Sequence, residues 1–183
     1  MVSREVGNIL LDHVRNAGDP IGMVFEQVVT TNRLCSSMVV IPQLFVDRVR
    51  EYSRANRADG IILEAALKRA PVFREGGWVV ALNSSAGAMT LDRHVFFGGA
   101  LSLTGYLHEL VHVAQYAVAG RTRFLVSYFG LSAAEIARRL LLRRPLGAMK
   151  SSPHETQAYA LEDRFADWLE ATYPGQLMPM VRA

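Results

Sequence analysis

Cysteine is nearly absent from this chain. Cys35 is the only one in 183 residues, which excludes an intramolecular disulfide and any multi-cysteine metal cage and makes a reducing compartment the expectation. A bound metal would therefore have to use histidine and carboxylate ligands. Net charge is small as well: 20 Lys and Arg against 17 Asp and Glu leave +3, too little basic excess to point to nucleic acid. Long apolar runs are missing. The richest, Val95 to Leu107, is interrupted by Gly98, Gly99 and Gly105 and followed by His108 and Glu109, which falls short of the roughly 20 residues a spanning helix needs. Met1 to Leu11 contains Arg4, Glu5 and Asn8, which break the apolar core of an export signal. The expected location is the cytoplasm.

What is present is an ordinary globular composition, half apolar and one-fifth charged, with no repeat or low-complexity tract. Ser3 to Asn16 fits a short amphipathic helix that Gly18, Asp19 and Pro20 end, and Ile21 to Val40 fits helix and strand equally. Pro42 suits a first helical position, and Leu44, Phe45, Val49 and Tyr52 recur near a 3.6 period. Asp59 suits the cap of a second helix closed by Pro71. Trp78 to Leu82 reads as a strand, Asn83 to Gly87 as a turn, and Ala88 to Leu91 with His94 to Phe97 as further strands of a small antiparallel meander. Thr104 to Ala119 is apolar on most faces, as a buried helix is, with Gly120 as its cap. Ser132 with Glu135, and Ser152 with Glu155, have capping-box spacing, and the second of these opens a helix to about Ala171. Helices, a few strands, then helices give an α+β class with helices dominant.

The chemistry-bearing segment is His108, Glu109, Leu110, Val111 and His112, an HExxH sequence inside the apolar helix. Residues four apart share a helical face, so both imidazoles can reach one metal ion. Glu109 stands beside them, where a general base for hydrolysis must stand. The pattern arises by chance in roughly one chain in a hundred of this composition, so its weight comes from context. A helix apolar nearly all round cannot bury three ionisable groups without partners, and a metal supplies them.

A catalytic zinc site uses three protein ligands and leaves one position open. The candidates for the third are His94, His154, Glu155, Glu135 and Glu162. Glu155 is preferred because it opens a helix in which Ala158 permits close packing against the first; the competing role for its carboxylate is the capping box with Ser152. His154 is the next choice. Donors to a tetrahedral oxyanion are Tyr128, Tyr159, Tyr106 and His94. Arg138, Arg139, Arg143 and Arg144 flank Leu140 to Leu142 on an amphipathic helix, a solvated face in the simplest reading and a peripheral contact to an anionic membrane in the other. Cys35 reads as an inert buried thiol.

The run Leu107 to Tyr116 around HExxH, followed after a gap by Pro153 to Tyr159, resembles the gluzincin type of zinc metalloprotease. More narrowly, it is similar to the small bacterial HExxH domains found alone or within toxins and contractile-injection-system cargo. The likeness covers about Gly87 to Leu169. It implies a zincin-like metallopeptidase domain over residues 76–183, joined to an unassigned helical region 1–75 as one compact unit. It further implies Zn2+ held by His108, His112 and Glu155, with Glu109 as base and a peptide or protein substrate paired along a strand within Ala88 to Phe97. Many relatives carry an acidic residue four positions after the ligand glutamate, buttressing a ligand histidine; here that position is Tyr159, a weaker acceptor. A catalytically weak or inactive zinc-stabilised binding or cargo module is the competing function.

Overall fold

In the computed structural model the described residues are 20–82, 87–128 and 152–175. The expected helix Ser3 to Asn16, the tip of the turn at 83–86, Glu135 and the arginine-flanked helix lie outside them.

The segment that fits helix and strand equally is both in turn. Helix α1 spans Pro20–Leu34 and strand β1 spans Ser36–Val39. The switch is made at Asn32, whose carbonyl accepts from Cys35 N at 3.2 Å and from Ser36 Oγ at 2.7 Å, so the helix is closed by turn and side-chain bonds. Cys35 is exposed there, not buried as expected.

Pro42 lies one residue ahead of the first helical position of α2 (Gln43–Ala55), which buries Phe45, Val49 and Tyr52, while Leu44, expected with them, is exposed because it is about 100° round the helix from its neighbour Phe45. Helix α3 (Arg57–Lys68) starts before Asp59. Asp59 is therefore not its cap. The carboxylate is buried and turned to Tyr52 and Arg164 instead. The two helices cross at Gly60, where a Cβ would lie 2.5 Å from the Ser53 carbonyl oxygen; only glycine permits that approach.

Strand β2 (Val72–Gly76) is followed by a single helical turn, α4 (Trp78–Leu82), where a strand was expected. Gly76 and Gly77 both have positive φ, 90° and 107°, which turns the chain out of the sheet. Asn32 Oδ1 then accepts from Val79 N at 3.0 Å, capping the turn from α1, and Trp78 donates to Thr31 Oγ1. These tertiary contacts override the β preference of the valines.

Strands β3 (Ala88–Leu91) and β4 (His94–Phe97) complete a sheet of order β1-β2-β4-β3. It is mixed rather than antiparallel: β2 and β4 run parallel, and the outer pairs are antiparallel. Alternation divides the strand residues between two clusters. Phe73, Val95 and Phe97 join the larger one with α2, α3 and α5 (Leu103–Ala119), whereas Phe96 joins Phe25 and Val29 of α1. Helix α5 is buried continuously from Tyr106 to Tyr116, is capped by Ser102, which accepts from Gly105 N, and ends at Gly120 with φ 77°. A helical stretch 121–128 follows.

Helix α6 (Pro153–Thr172) opens as its sequence signals, with Ser152 Oγ accepting from Glu155 N. Ala158, Leu161, Phe165 and Leu169 are fully buried along the same cluster as Leu107 and Leu110 of α5. The fold is α+β. The division expected at residue 75 falls inside β2, and one apolar cluster draws on both sides of it. Among the described residues no helix is long and apolar enough to cross a membrane.

Candidate metal centre

Four-residue spacing on α5 brings the two imidazoles edge to face, ring centroids 5.0 Å apart, with His108 Nε2 and His112 Nε2 separated by 3.2 Å. From α6, Glu155 places Oε2 3.2 Å from His108 Nε2 and Oε1 3.4 Å from His112 Nε2. Among the described residues these three form the group whose ligand atoms could hold one metal ion. The spacing itself is informative. Ligand atoms about 2.0 to 2.1 Å from a tetrahedral ion stand about 3.3 Å from one another, and the three separations bracket that value. The competing capping role is resolved: Ser152 receives the backbone N–H of Glu155 at 3.2 Å, while the carboxylate faces the histidines.

The hydrogen-bond network assigns the tautomers. Nδ1–H of His108 donates to Glu162 Oε2 at 2.9 Å, and Nδ1–H of His112 to Gln115 Oε1 at 2.9 Å. In the neutral rings each Nε2 therefore turns a lone pair inward, towards the other and towards a carboxylate. Three acceptors converging at this range in a buried place repel one another unless a cation joins them. A proton on His108 is the simplest such cation, and the carboxylates around that ring favour its charged form. Burial lowers the His108 pKa, but the hydrogen bonds its ring donates to Glu155 and Glu162 outweigh it and bring it to about 9. Burial likewise raises that of Glu155, and its bonds to His108 and His112 hold it well below the usual carboxylate range. The donor set fits a small divalent cation with an affinity for nitrogen and oxygen, and Cys35 is not among the residues of the site.

Glu162 thus stands behind His108, at Nδ1, and not among the converging atoms. It lies seven residues after Glu155, two helical turns along the same face, and supplies the carboxylate that the sequence lacks at Tyr159. Tyr159 itself packs edge-on against His108, centroids 4.5 Å apart. Tyr128 donates its hydroxyl to Glu155 Oε1 at 2.7 Å; burial first, and the charge of Glu155 second, push its pKa far above the ordinary tyrosine value.

A cavity of about 320 Å³ opens on this centre, lined by the three ligand candidates, Glu109, Glu162, Tyr128, Tyr159 and the whole of β3. Glu109 is 7% exposed, and its Oε2 accepts from Thr90 Oγ1 at 2.7 Å. Thr90 sits on β3, the end strand of the sheet. Neither Gln115 nor Thr90 was singled out from the sequence. Gln115 has a legible signal, three residues after His112 on the same face; Thr90 has none.

Three expected residues lie elsewhere. His94 alternates with Val95, so its ring points to the opposite face of the sheet from the α5 cluster, beside Phe96. Tyr106 is buried among Phe45, Phe73 and Phe97. His154 bonds Ser127 Oγ through Nε2 at 2.8 Å and packs on Phe124. None of the three borders the cavity. Comparison of the chain with protein-family models, curated proteins and solved structures finds no match.

Proposed function

We propose that this chain is a zinc-dependent metallopeptidase of the gluzincin type that its motifs resemble, hydrolysing peptide bonds with Glu109 as general base. One observation carries the reading: His108 Nε2, His112 Nε2 and the Glu155 carboxylate converge at the spacing of a tetrahedral site on the wall of a cavity that Glu109 also lines. Two histidines and one glutamate with an open side are a catalytic rather than a structural zinc set. When bound, zinc supplies Lewis acidity, polarising a carbonyl oxygen and lowering the pKa of a neighbouring water towards 7.

The remaining work belongs to the chain. Thr90 holds the Glu109 carboxylate by its Oε2, and Glu109 takes a proton from the attacking water and returns it to the leaving amine nitrogen. An extended substrate pairs along β3, the end strand beside the centre, in the β-augmentation mode. Tyr159, on the cavity wall, is the candidate hydroxyl donor to a developing oxyanion, and Tyr128 joins it only by releasing the Glu155 carboxylate.

The deciding experiment compares wild type with Glu109→Gln for zinc content and for cleavage of an unfolded protein substrate. Both proteins should hold one zinc ion, with turnover falling at least about 100-fold in the variant. Stoichiometric zinc in a wild type that cleaves nothing would assign the protein to the non-catalytic, zinc-stabilised class. Absence of zinc binding would remove the reading altogether.

A further inference from the structure

Gln115 is 8% exposed and bridges the two helices that carry the ligand candidates. Its Oε1 accepts from His112 Nδ1 at 2.9 Å. Its amide nitrogen donates to the backbone oxygen of His154 at 3.0 Å and to Gln157 Oε1 at 2.9 Å. His154 directly precedes Glu155, so the amide grips α6 one residue from the third ligand.

A glutamine side chain accepts at one end and donates at the other. Only one orientation serves all three partners. Turned over, the amide would set its oxygen against the backbone oxygen of His154, which can only accept, and its N–H groups against the Nδ1–H of His112. The first turn of α6 therefore locks the amide, and the locked amide holds His112 as the tautomer whose Nε2 lone pair faces the centre.

Resting on the metal reading above, we propose that Gln115 is a positioning residue that couples the docking of α6 to zinc affinity: the same turn that delivers Glu155 also sets His112 ready to coordinate. His112 is a competent ligand when α6 is seated, and two of the three ligands are completed in one step. Outer partners of metal-bound histidines commonly govern affinity by about 10- to 100-fold; here the outer partner also spans two elements.

Substitutions in the full chain separate the two ends of the amide. Gln115→Met removes the acceptor and both donors at similar length. Gln115→Glu keeps an acceptor for His112 and removes the donors. Zinc dissociation constants are measured by competition with a chelator, and melting temperatures are measured on zinc-free protein. In zinc-loaded protein the far-downfield ring N–H proton of His112 is followed by NMR. Gln115→Met should weaken zinc binding by about 10- to 100-fold and lose the His112 proton signal. Gln115→Glu should restore both affinity and signal, while its zinc-free melting temperature stays as low as that of Gln115→Met. Gln157→Ala, which leaves His112 its partner but loosens the amide, should weaken zinc binding by a smaller factor.

Unchanged affinity in Gln115→Met and Gln157→Ala would overturn the coupling and leave Gln115 a simple clip between helices. Glu failing to rescue Met would also overturn it, because the histidine contact would then not be what matters. A wild type that binds no zinc would overturn the metal reading and this inference with it, so the two failures are told apart by the wild-type measurement.

Discussion

The helix that brings Glu155 to the histidines is also held from its far side, and cutting that hold gives a quantitative test. Asp59 of α3 accepts from the Tyr52 hydroxyl at 2.6 Å and from Arg164 of α6 through Nε at 2.9 Å and Nη2 at 2.7 Å. Three helices thus meet at one carboxylate. In Asp59→Ala, Arg164 can turn to water, because its side chain is already 53% exposed; losing that ion pair costs at most about 1 kcal/mol. Tyr52 cannot turn away. It is 1% exposed, and its hydroxyl left without an acceptor costs about 1 to 3 kcal/mol. The sum, about 1 to 4 kcal/mol, corresponds in a chain of this length to a melting temperature lower by roughly 2 to 16 °C.

The pH dependence carries a sign. Hydrogen bonds from Arg164 first, and from Tyr52, outweigh burial and hold the Asp59 pKa below its usual value. A depressed carboxylate contributes stability that is complete above its unfolded pKa, near 3.9, and is lost as pH falls through the lower folded value. Urea titrations of wild type and Asp59→Asn should therefore differ at pH 7 and at pH 5 and converge below about pH 4. A difference under about 0.5 kcal/mol at pH 7, or one that persists unchanged at pH 3, would refute the assignment of this cluster as a charge-dependent lock.

Three further outcomes follow from the centre itself. Glu162→Leu removes the acceptor behind His108 and should raise the zinc dissociation constant by about 10- to 100-fold, measured by chelator competition. Thr90→Val keeps the shape of β3 but frees the Glu109 carboxylate, so turnover should fall by about tenfold with zinc content unchanged; loss of zinc would mean that Thr90 acts on the fold instead. Zinc at about 100 times its dissociation constant should stabilise the chain by about 2.7 kcal/mol, read as a higher melting temperature that a chelator reverses and that His108→Ala abolishes.

Helices α2, α5 and α6 are written plainly in the chain, because their signals are local. Ser152 and Pro153 start α6 where their chemistry requires, and the apolar residues of α5 run without a polar face, as befits a helix buried on all sides. The sheet is less legible. Val72 to Gly76 carries Arg74, Glu75 and Gly76 in a five-residue strand, so no alternation marks it, and its parallel pairing with β4 depends on a crossover that local pattern cannot express. Trp78 to Leu82 fails for the opposite reason. Its β-branched residues suit a strand, but two positive-φ glycines before it and a cap offered by Asn32, 47 residues earlier, make a helical turn there.

The candidate metal centre divides along the same line. His108, Glu109 and His112 follow from i, i+4 geometry within one helix, and Glu155 from the start signal of another. The partners that make those residues useful come from packing: Thr90 from a strand, Tyr128 from the stretch after α5, Glu162 from the second turn beyond Glu155. Tyr159 shows why the distinction matters. A reading tied to one position finds a tyrosine four residues after Glu155 and infers a weakened site. Helical geometry offers a second position on the same face, and Glu162 occupies it, bonded to His108 at 2.9 Å. The physical requirement is a carboxylate within reach of Nδ1, not a residue at a fixed offset. If that requirement is what matters, installing an acid at the familiar position should not help: Tyr159→Asp should leave zinc affinity no higher than wild type. It should recover affinity only when combined with Glu162→Leu, where His108 lacks its acceptor. A tighter site in Tyr159→Asp alone would show that Glu162 fills the role incompletely.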